Sequence, residues 1–248
     1  MERNIKAILQ YDGTDYCGFQ AQVRQGSPTI QETVEAALSR FFGEPIVIFG
    51  SGRTDSGVHA LAQVINFHTN STIPIERVVP SLNRLLPRDI AFLQAEEVDA
   101  TFHARKCALG KYYEYRVLNN TLPTAIGSRY FYQYPYALDE SLVRQGCQLL
   151  EGSHNFQSFS ASGSSIKNYE RTLYAVNLVR QDDWWLFRFY GTGFLRNMVR
   201  IMVGTLLDIG NGRKNLTCIP QALAQQDRNL VGKTAPPQGL FLKMVFYP

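Results

Sequence analysis

Ile46-Val47-Ile48-Phe49 leads into Gly50-Ser51-Gly52-Arg53-Thr54-Asp55-Ser56-Gly57-Val58-His59-Ala60, and after Leu61 the chain continues as Ala62-Gln63-Val64-Ile65-Asn66-Phe67. The outer runs are short, apolar and β-prone, which predicts two strands joined by a glycine-rich loop. Glycines permit close backbone approach, and among them stand a guanidinium, a carboxylate, hydroxyls and an imidazole. An Arg and an Asp two positions apart in such a loop make either a tight turn with a surface ion pair or a reactive site. Neither a Gly-Lys-Ser/Thr phosphate loop nor a dinucleotide fingerprint is present, so any chemistry must come from the Arg and Asp side chains.

Upstream, residues 5–10 read as a strand, followed by Tyr11-Asp12-Gly13-Thr14-Asp15-Tyr16-Cys17-Gly18-Phe19-Gln20. This polar segment is either a second site loop or a turn whose Tyr16 and Phe19 fold back onto the core. Pro28-Thr29-Ile30-Gln31-Glu32 starts a helix: Thr29 can cap it, Glu32 stands at the capping-box position, and Ile30, Val34, Ala37, Leu38 and Phe41 form an apolar stripe. Gly43-Glu44-Pro45 ends it. Downstream of the loop, 75–86 reads as a helix bent or split by Pro80, and 90–98 as a strand. The order is strand, helix, strand, strand, helix, strand, a split βαβ unit.

The second half repeats the cadence: a strand over 111–117, a helix over 139–150, a hairpin of 171–179 and 184–190 turned at Gln181-Asp182-Asp183, a helix over 195–209, and a strand over 240–246. The chain therefore reads as α+β, two similar β-α-β-β-α-β (ferredoxin-like) units, residues 1–105 and 106–248, although the halves are too dissimilar to establish a repeat. On the strand Lys111-Tyr112-Tyr113-Glu114-Tyr115-Arg116, alternation puts Lys111, Tyr113 and Tyr115 on one face, as core packing or as a tyrosine-lined site. Arg196 and Arg200 fall four apart in the helical reading, either solvated or reaching a carboxylate or phosphate. The small, polar stretch 152–165 reads as a solvent-facing loop, and Pro123 to Tyr136 as a connection with room for a short strand.

Lys and Arg number 25 against 21 Asp and Glu, a formal charge of +4 that permits a polyanionic partner without requiring one. The four cysteines and four histidines are scattered, away from metal-ligand spacing, so neither a disulfide framework nor a metal site is expected. The chain opens without an apolar signal core and has no apolar run near the roughly 18 residues that span a bilayer, so the expectation is a protein of the reducing cytoplasm.

Taken in order, the loop ending in Gly52-Arg53-Thr54-Asp55-Ser56-Gly57-Val58-His59-Ala60, the Lys111-x-Tyr113-x-Tyr115 strand and the Phe194-Leu195 segment running to Arg200 resemble the tRNA pseudouridine synthase A family, as do Tyr11-Asp12-Gly13-Thr14 and Gly18-Phe19-Gln20. The resemblance implies two α/β units whose predominantly antiparallel sheets join around a central cleft, a homodimer, no metal and no organic cofactor. It implies isomerisation of uridine to pseudouridine in the tRNA anticodon stem-loop, at RNA positions 38, 39 and 40. Asp55 would be the catalytic aspartate, Arg200 its ion-pair partner, and Tyr113 a group beside the base or in proton transfer. Arg53, Lys111 and His59 would bind substrate, with Arg24, Lys106, Lys167 and Arg171 as further contacts to the RNA backbone. Still open are a noncatalytic structured-RNA-binding protein, or a synthase acting on another tRNA site or on ribosomal RNA.

Overall fold

The structure is a computed structural model and describes residues 2–21, 26–161 and 167–248. The chain divides into two compact units, residues 1–109 with Phe241–Pro248, and Gly110–Leu240.

The first unit is built from β1 (Arg3–Tyr11), α1 (Ile30–Phe42), β2 (Ile48–Gly50), β3 (His59–Thr69), α2 (Val78–Leu85) and β4 (Ile90–Val98). β1 lies between β3 and β4 and is antiparallel to both, and β2 pairs antiparallel with β3 at Ile48 with Phe67 and Gly50 with Ile65. The capping box is formed: the Glu32 N–H donates to Thr29 Oγ1 at 3.2 Å, and the Thr29 N–H donates to the Glu32 carboxylate at 3.0 Å. The buried stripe of α1 is Ile30, Val34, Ala37, Leu38 and Phe42. Phe42, four residues after Leu38, takes the inner place expected of Phe41 and packs on Phe67 of β3 at 5.7 Å between ring centroids. The segment expected to bend at Pro80 divides into a 3₁₀ turn, Ile75–Arg77, and α2, which places Pro80 in a first turn where its missing N–H removes no helix bond.

The second unit holds β5 (Gly110–Leu118), β6 (Tyr132–Gln133), α3 (Glu140–Leu150), β7 (Gly152–Asn155), β8 (Glu170–Gln181), β9 (Trp184–Gly191), α4 (Met198–Gly210) and α5 (Cys218–Gln225). Its sheet runs β5-β9-β8-β7, antiparallel throughout, with β6 parallel to β5. Asp182 and Asp183 turn the β8–β9 hairpin, with Asp182 at φ 54°. Tyr115, Trp185, Phe187 and Phe189 fill the core beside the almost wholly buried α4. Part of the stretch read as a loop is β7: His154 pairs with Arg171, because the edge of β8 offers backbone partners to any extended chain. α5 carried no strong start signal in the sequence, and the side chain of its cap, Thr217, accepts no hydrogen bond from the helix's first N–H groups.

The last strand, β10 (Leu240–Phe246), falls with the first unit from Phe241 on, whereas chain order had grouped it with the second. It runs parallel to β3, with Phe241 opposite His59 and Leu242 opposite Ala60. The fold is α+β with predominantly antiparallel strands.

Candidate active site

The loop between β2 and β3 does not stand alone. Gln63 of β3 donates to the Gly52 carbonyl at 2.8 Å and accepts from the Ser51 hydroxyl at 2.6 Å, pinning the loop's first limb. The Val58 N–H returns to the Asp55 carbonyl at 3.1 Å and closes a turn whose first member is the proposed reactive residue. Asp55 is partly exposed and Arg53 is exposed, while Thr54 between them is buried, so alternate side chains point outward.

The polar segment after β1 forms the loop's backing. On one limb the Phe19 N–H donates to the Thr54 carbonyl at 3.1 Å, and Gly18, at φ 88°, lies so close that a Cβ there would sit 2.7 Å from the Thr54 oxygen and 3.2 Å from the Asp55 carbonyl carbon. On the other, Gly13 presses on Val58: a Cβ would fall onto its carbonyl, 2.8 Å from the carbon. The Tyr11 and Thr54 hydroxyls share a 2.8 Å hydrogen bond, and the Ser56 hydroxyl donates to the Tyr16 carbonyl at 3.0 Å. Burial pushes the Tyr11 phenol well above its ordinary value, only partly offset by that bond, so Tyr11 is a neutral structural hydroxyl. Tyr16 is raised as well, by burial and by donation to Asp89 at 2.8 Å.

His59 is 1% exposed. Its Nδ1 accepts the Gly13 N–H at 3.1 Å and lies 3.1 Å from Asp12 Oδ1, and its ring stacks on Phe241 at 4.8 Å. Asp12 also accepts the Thr14 N–H at 3.0 Å. The imidazole thus sits behind the loop as an anchor for the 12–14 turn rather than at its open side.

In the second unit, Tyr113 is buried on the helix-facing side of β5 and meets Phe194 edge-on at 5.0 Å, while Lys111 is partly exposed. α4 begins at Met198, after Asn197 in the left-handed region, so Arg196 precedes the helix and the two arginines do not share its surface as the spacing suggested. Arg200 is fixed by its own unit: Nε donates to the Ala235 carbonyl at 2.8 Å and a terminal nitrogen donates to Asn197 Oδ1 at 2.9 Å. A groove of about 330 Å³ lies elsewhere, lined by Tyr112, Asn177, Arg188 and Tyr190 on the opposite face of β5 from Tyr113. Beneath it, buried Glu114 is paired with Arg116 at 3.1 Å and Arg188 at 3.3 Å, which leaves that groove a structural ion cluster rather than the reactive centre.

Arg53, Asp55 and His59 therefore belong to the first unit and Lys111, Tyr113 and Arg200 to the second. Lys106 and Lys167 are exposed. Arg171 donates to the carbonyls of Asn168 and Glu170, so part of its guanidinium is used locally. Arg24 lies outside the described residues. Sequence reasoning missed Gly13, Thr54, Gln63 and Asn197 as supports. The Asp12-Gly13 step marked a turn, but nothing in the sequence told which backbone it would press against.

No disulfide joins the cysteines among the described residues, and burial pushes the Cys147 thiol up to about 12, far from a nucleophilic thiolate. Among the described residues no three His, Cys, Asp or Glu side chains cluster as a metal site, and no helix is long and apolar enough to cross a membrane.

A family model described as tRNA pseudouridine synthase matches residues 7–105 and 147–248. The chain is similar to tRNA pseudouridine synthase A of Acetivibrio thermocellus, 44% identical over 245 residues that cover 99% of this chain and 100% of that one. It is 45% identical to the Lacticaseibacillus casei protein of the same name over 98% of this chain and 99% of that one, and 43% identical to that of Moorella thermoacetica over the same shares. With both halves matched and the relatives covered end to end, the chain belongs to the tRNA pseudouridine synthase family.

Proposed function

We infer that the protein isomerises uridine to pseudouridine in tRNA, with Asp55 as the catalytic carboxylate. The observation that carries this is the end-to-end match to synthases of that name, with Asp55 set in a loop braced on both limbs. The reaction breaks the bond between ribose C1′ and uracil N1, turns the ring, joins its C5 to C1′, passes the C5 proton to solvent and leaves N1 with a proton taken up in exchange. Atoms and electrons balance within the nucleotide, so the conversion itself calls for no redox partner and no transferred group. A carboxylate suits it by attacking or stabilising the electron-poor sugar carbon and later handling a proton. We favour this ribose-centred role over attack on the ring; recovery of an Asp55 adduct joined solely through uracil C6 would exclude it.

Arg53, exposed two residues before Asp55, is proposed to occupy the space left when the target uridine leaves its stack, a step that costs a few kcal/mol for a paired base. Tyr113 is proposed to pack by the base or take part in proton transfer, a role that its apolar seat against Phe194 supports. Arg200, held by Asn197 and the Ala235 carbonyl, is proposed to supply the positive charge that keeps the Asp55 carboxylate ionised. Lys111 is assigned to substrate binding, and Arg24, Lys106, Lys167 and Arg171 to the RNA backbone. The anticodon stem-loop as target, a homodimer and a cytoplasmic setting follow from the family resemblance.

The test uses tRNA transcribed with tritium at uridine C5, since pseudouridine formation releases that hydrogen. Wild type releases it, and Asp55→Asn binds the same RNA with affinity unchanged within about threefold yet releases none above background. An Asp55→Asn protein as active as wild type would overturn the assignment. An inactive wild type with intact tRNA affinity would favour a noncatalytic RNA-binding protein.

A further inference from the structure

We propose that Tyr115 is a positioning residue for the reaction: its hydroxyl holds a backbone strap, residues 231–236, that aims the guanidinium of Arg200; this rests on the role proposed for Arg200 above. Alternation on β5 sets Tyr115 on the same face as Tyr113, yet the two side chains do different things. Tyr113 meets Phe194 edge-on, whereas Tyr115 is fully buried and its hydroxyl donates to the Pro236 carbonyl at 2.6 Å. A ring that only filled the core would need no hydroxyl, and a buried hydroxyl costs free energy unless it is bonded. Burial pushes the Tyr115 phenol well above its ordinary value, so it keeps its proton and remains a donor. The positive charge of Arg200 stands close enough to oppose that shift.

The strap is tied to α4 at both of its ends. At Gly232 the N–H donates to Thr205 Oγ1 at 2.9 Å, and the carbonyl accepts from Arg228 at 2.9 Å. Thr205 is itself fully buried, and its hydroxyl donates to the Ile201 carbonyl, one turn earlier, at 2.8 Å. Between the ends the strap runs so near the helix that a Cβ on Gly204 would fall onto the Lys233 carbonyl, 3.0 Å from its carbon. At Ala235 the N–H donates to the Arg200 carbonyl at 3.0 Å, and the carbonyl accepts from Arg200 Nε at 2.8 Å. Ala235 thus clasps the backbone and the side chain of one residue. With Nε committed to that carbonyl and a terminal nitrogen to Asn197, the plane of the guanidinium follows the place of Ala235. Pro236 and Pro237 come next and offer no N–H, so on this side the clasp is held through the Pro236 carbonyl, by Tyr115.

The experiment measures single-turnover tritium release from C5-labelled tRNA, tRNA affinity and thermal melting for wild type, Tyr115→Phe, Gly204→Ala, the two combined, Arg200→Gln and Tyr134→Phe. Tyr115→Phe keeps the ring in the core and removes the hydroxyl alone; it lowers the rate about tenfold and leaves affinity within about twofold of wild type. Gly204→Ala pushes the strap from the helix side and also lowers the rate. The double variant stays within about twofold of the slower single one, because both changes act through Ala235 and Arg200. Tyr134→Phe removes another buried tyrosine hydroxyl of the same unit, bonded to Asn211 past the far end of α4, and keeps the wild-type rate whatever it does to melting. A folded Tyr115→Phe protein with the wild-type rate overturns the inference and leaves the enzymatic assignment intact. So do losses that multiply in the double variant, or a loss in Tyr134→Phe equal to that in Tyr115→Phe. If Gly204→Ala does not fold, the comparison of Tyr115→Phe with Tyr134→Phe decides alone. Arg200→Gln at the wild-type rate removes the role of Arg200 and the inference with it, whereas a wild type that releases no tritium overturns the enzymatic assignment itself.

Discussion

Gly13→Ala tests whether the segment after β1 positions the catalytic loop. The added methyl would lie 2.8 Å from the Val58 carbonyl carbon and 3.2 Å from the Val58 nitrogen, against backbone rather than a side chain that can swing away. Carbon atoms rest about 3.5–4.0 Å apart, so relief needs a displacement on the order of 1 Å. Gly13 is held by its bond to His59, and Val58 is tied to the Asp55 carbonyl, so the movement passes into the turn that carries the carboxylate. A misplacement of about 1 Å costs about a hundredfold in rate, which corresponds to about 2.7 kcal/mol of transition-state stabilisation. Single-turnover tritium release from C5-labelled tRNA reads the chemical step, with RNA affinity measured in parallel and a thermal melt confirming folding at the assay temperature. A folded Gly13→Ala protein with a rate within threefold of wild type refutes the bracing role.

Arg53→Ala should cut the single-turnover rate on a uridine held in a stem at least tenfold more than on the same uridine in an unpaired loop, with total RNA affinity little changed; equal rates on the stem substrate reject its part in flipping. His59→Phe keeps a ring against Phe241 but leaves the buried Gly13 N–H without an acceptor, which should cost about 1–3 kcal/mol in urea denaturation and lower kcat. His59→Asn should recover part of the rate, whereas a residue that binds substrate directly would show its loss in KM. Thr29→Ala removes the cap of α1 and should cost about 1 kcal/mol at neutral pH. The Thr29 hydroxyl and N–H hold the Glu32 carboxyl below its ordinary range, so this part of the stability is present above the unfolded Glu value and is lost as pH falls through the lower folded one. The gap between wild type and Thr29→Ala therefore narrows on acidification.

The elements legible in the sequence were those whose periodicity and caps agreed: α1 with Thr29 and Glu32, the alternating β5, and the hairpin turned at Asp182 and Asp183. β7 was hidden because Gly152, Ser153, His154 and Asn155 carry no apolar alternation; pairing with β8 alone makes them a strand. The start of α4 was misplaced because the apolar pattern runs unbroken from Leu195, while the left-handed Asn197 sets the first helical turn later. At the site, Asp55 and Arg53 stood out as chemistry, but their supports did not. Gly13 and Gly18 looked like ordinary turn residues, and only the folded backbone shows Val58 and Thr54 lying against them. His59 sat in the densest polar stretch and looked like a ligand for substrate, yet it opens β3 and faces Phe241, an apolar contact supplied from the far end of the chain. Partners brought in over such separations leave no local pattern to read.

The most direct test of the central claim is a pseudouridine map of tRNA from cells lacking this protein, complemented with wild type or with Asp55→Asn. Marks in the anticodon stem-loop should be absent without the protein, restored by wild type and not restored by Asp55→Asn. Restoration by Asp55→Asn, or a tRNA map unchanged by loss of the protein, would contradict the assignment.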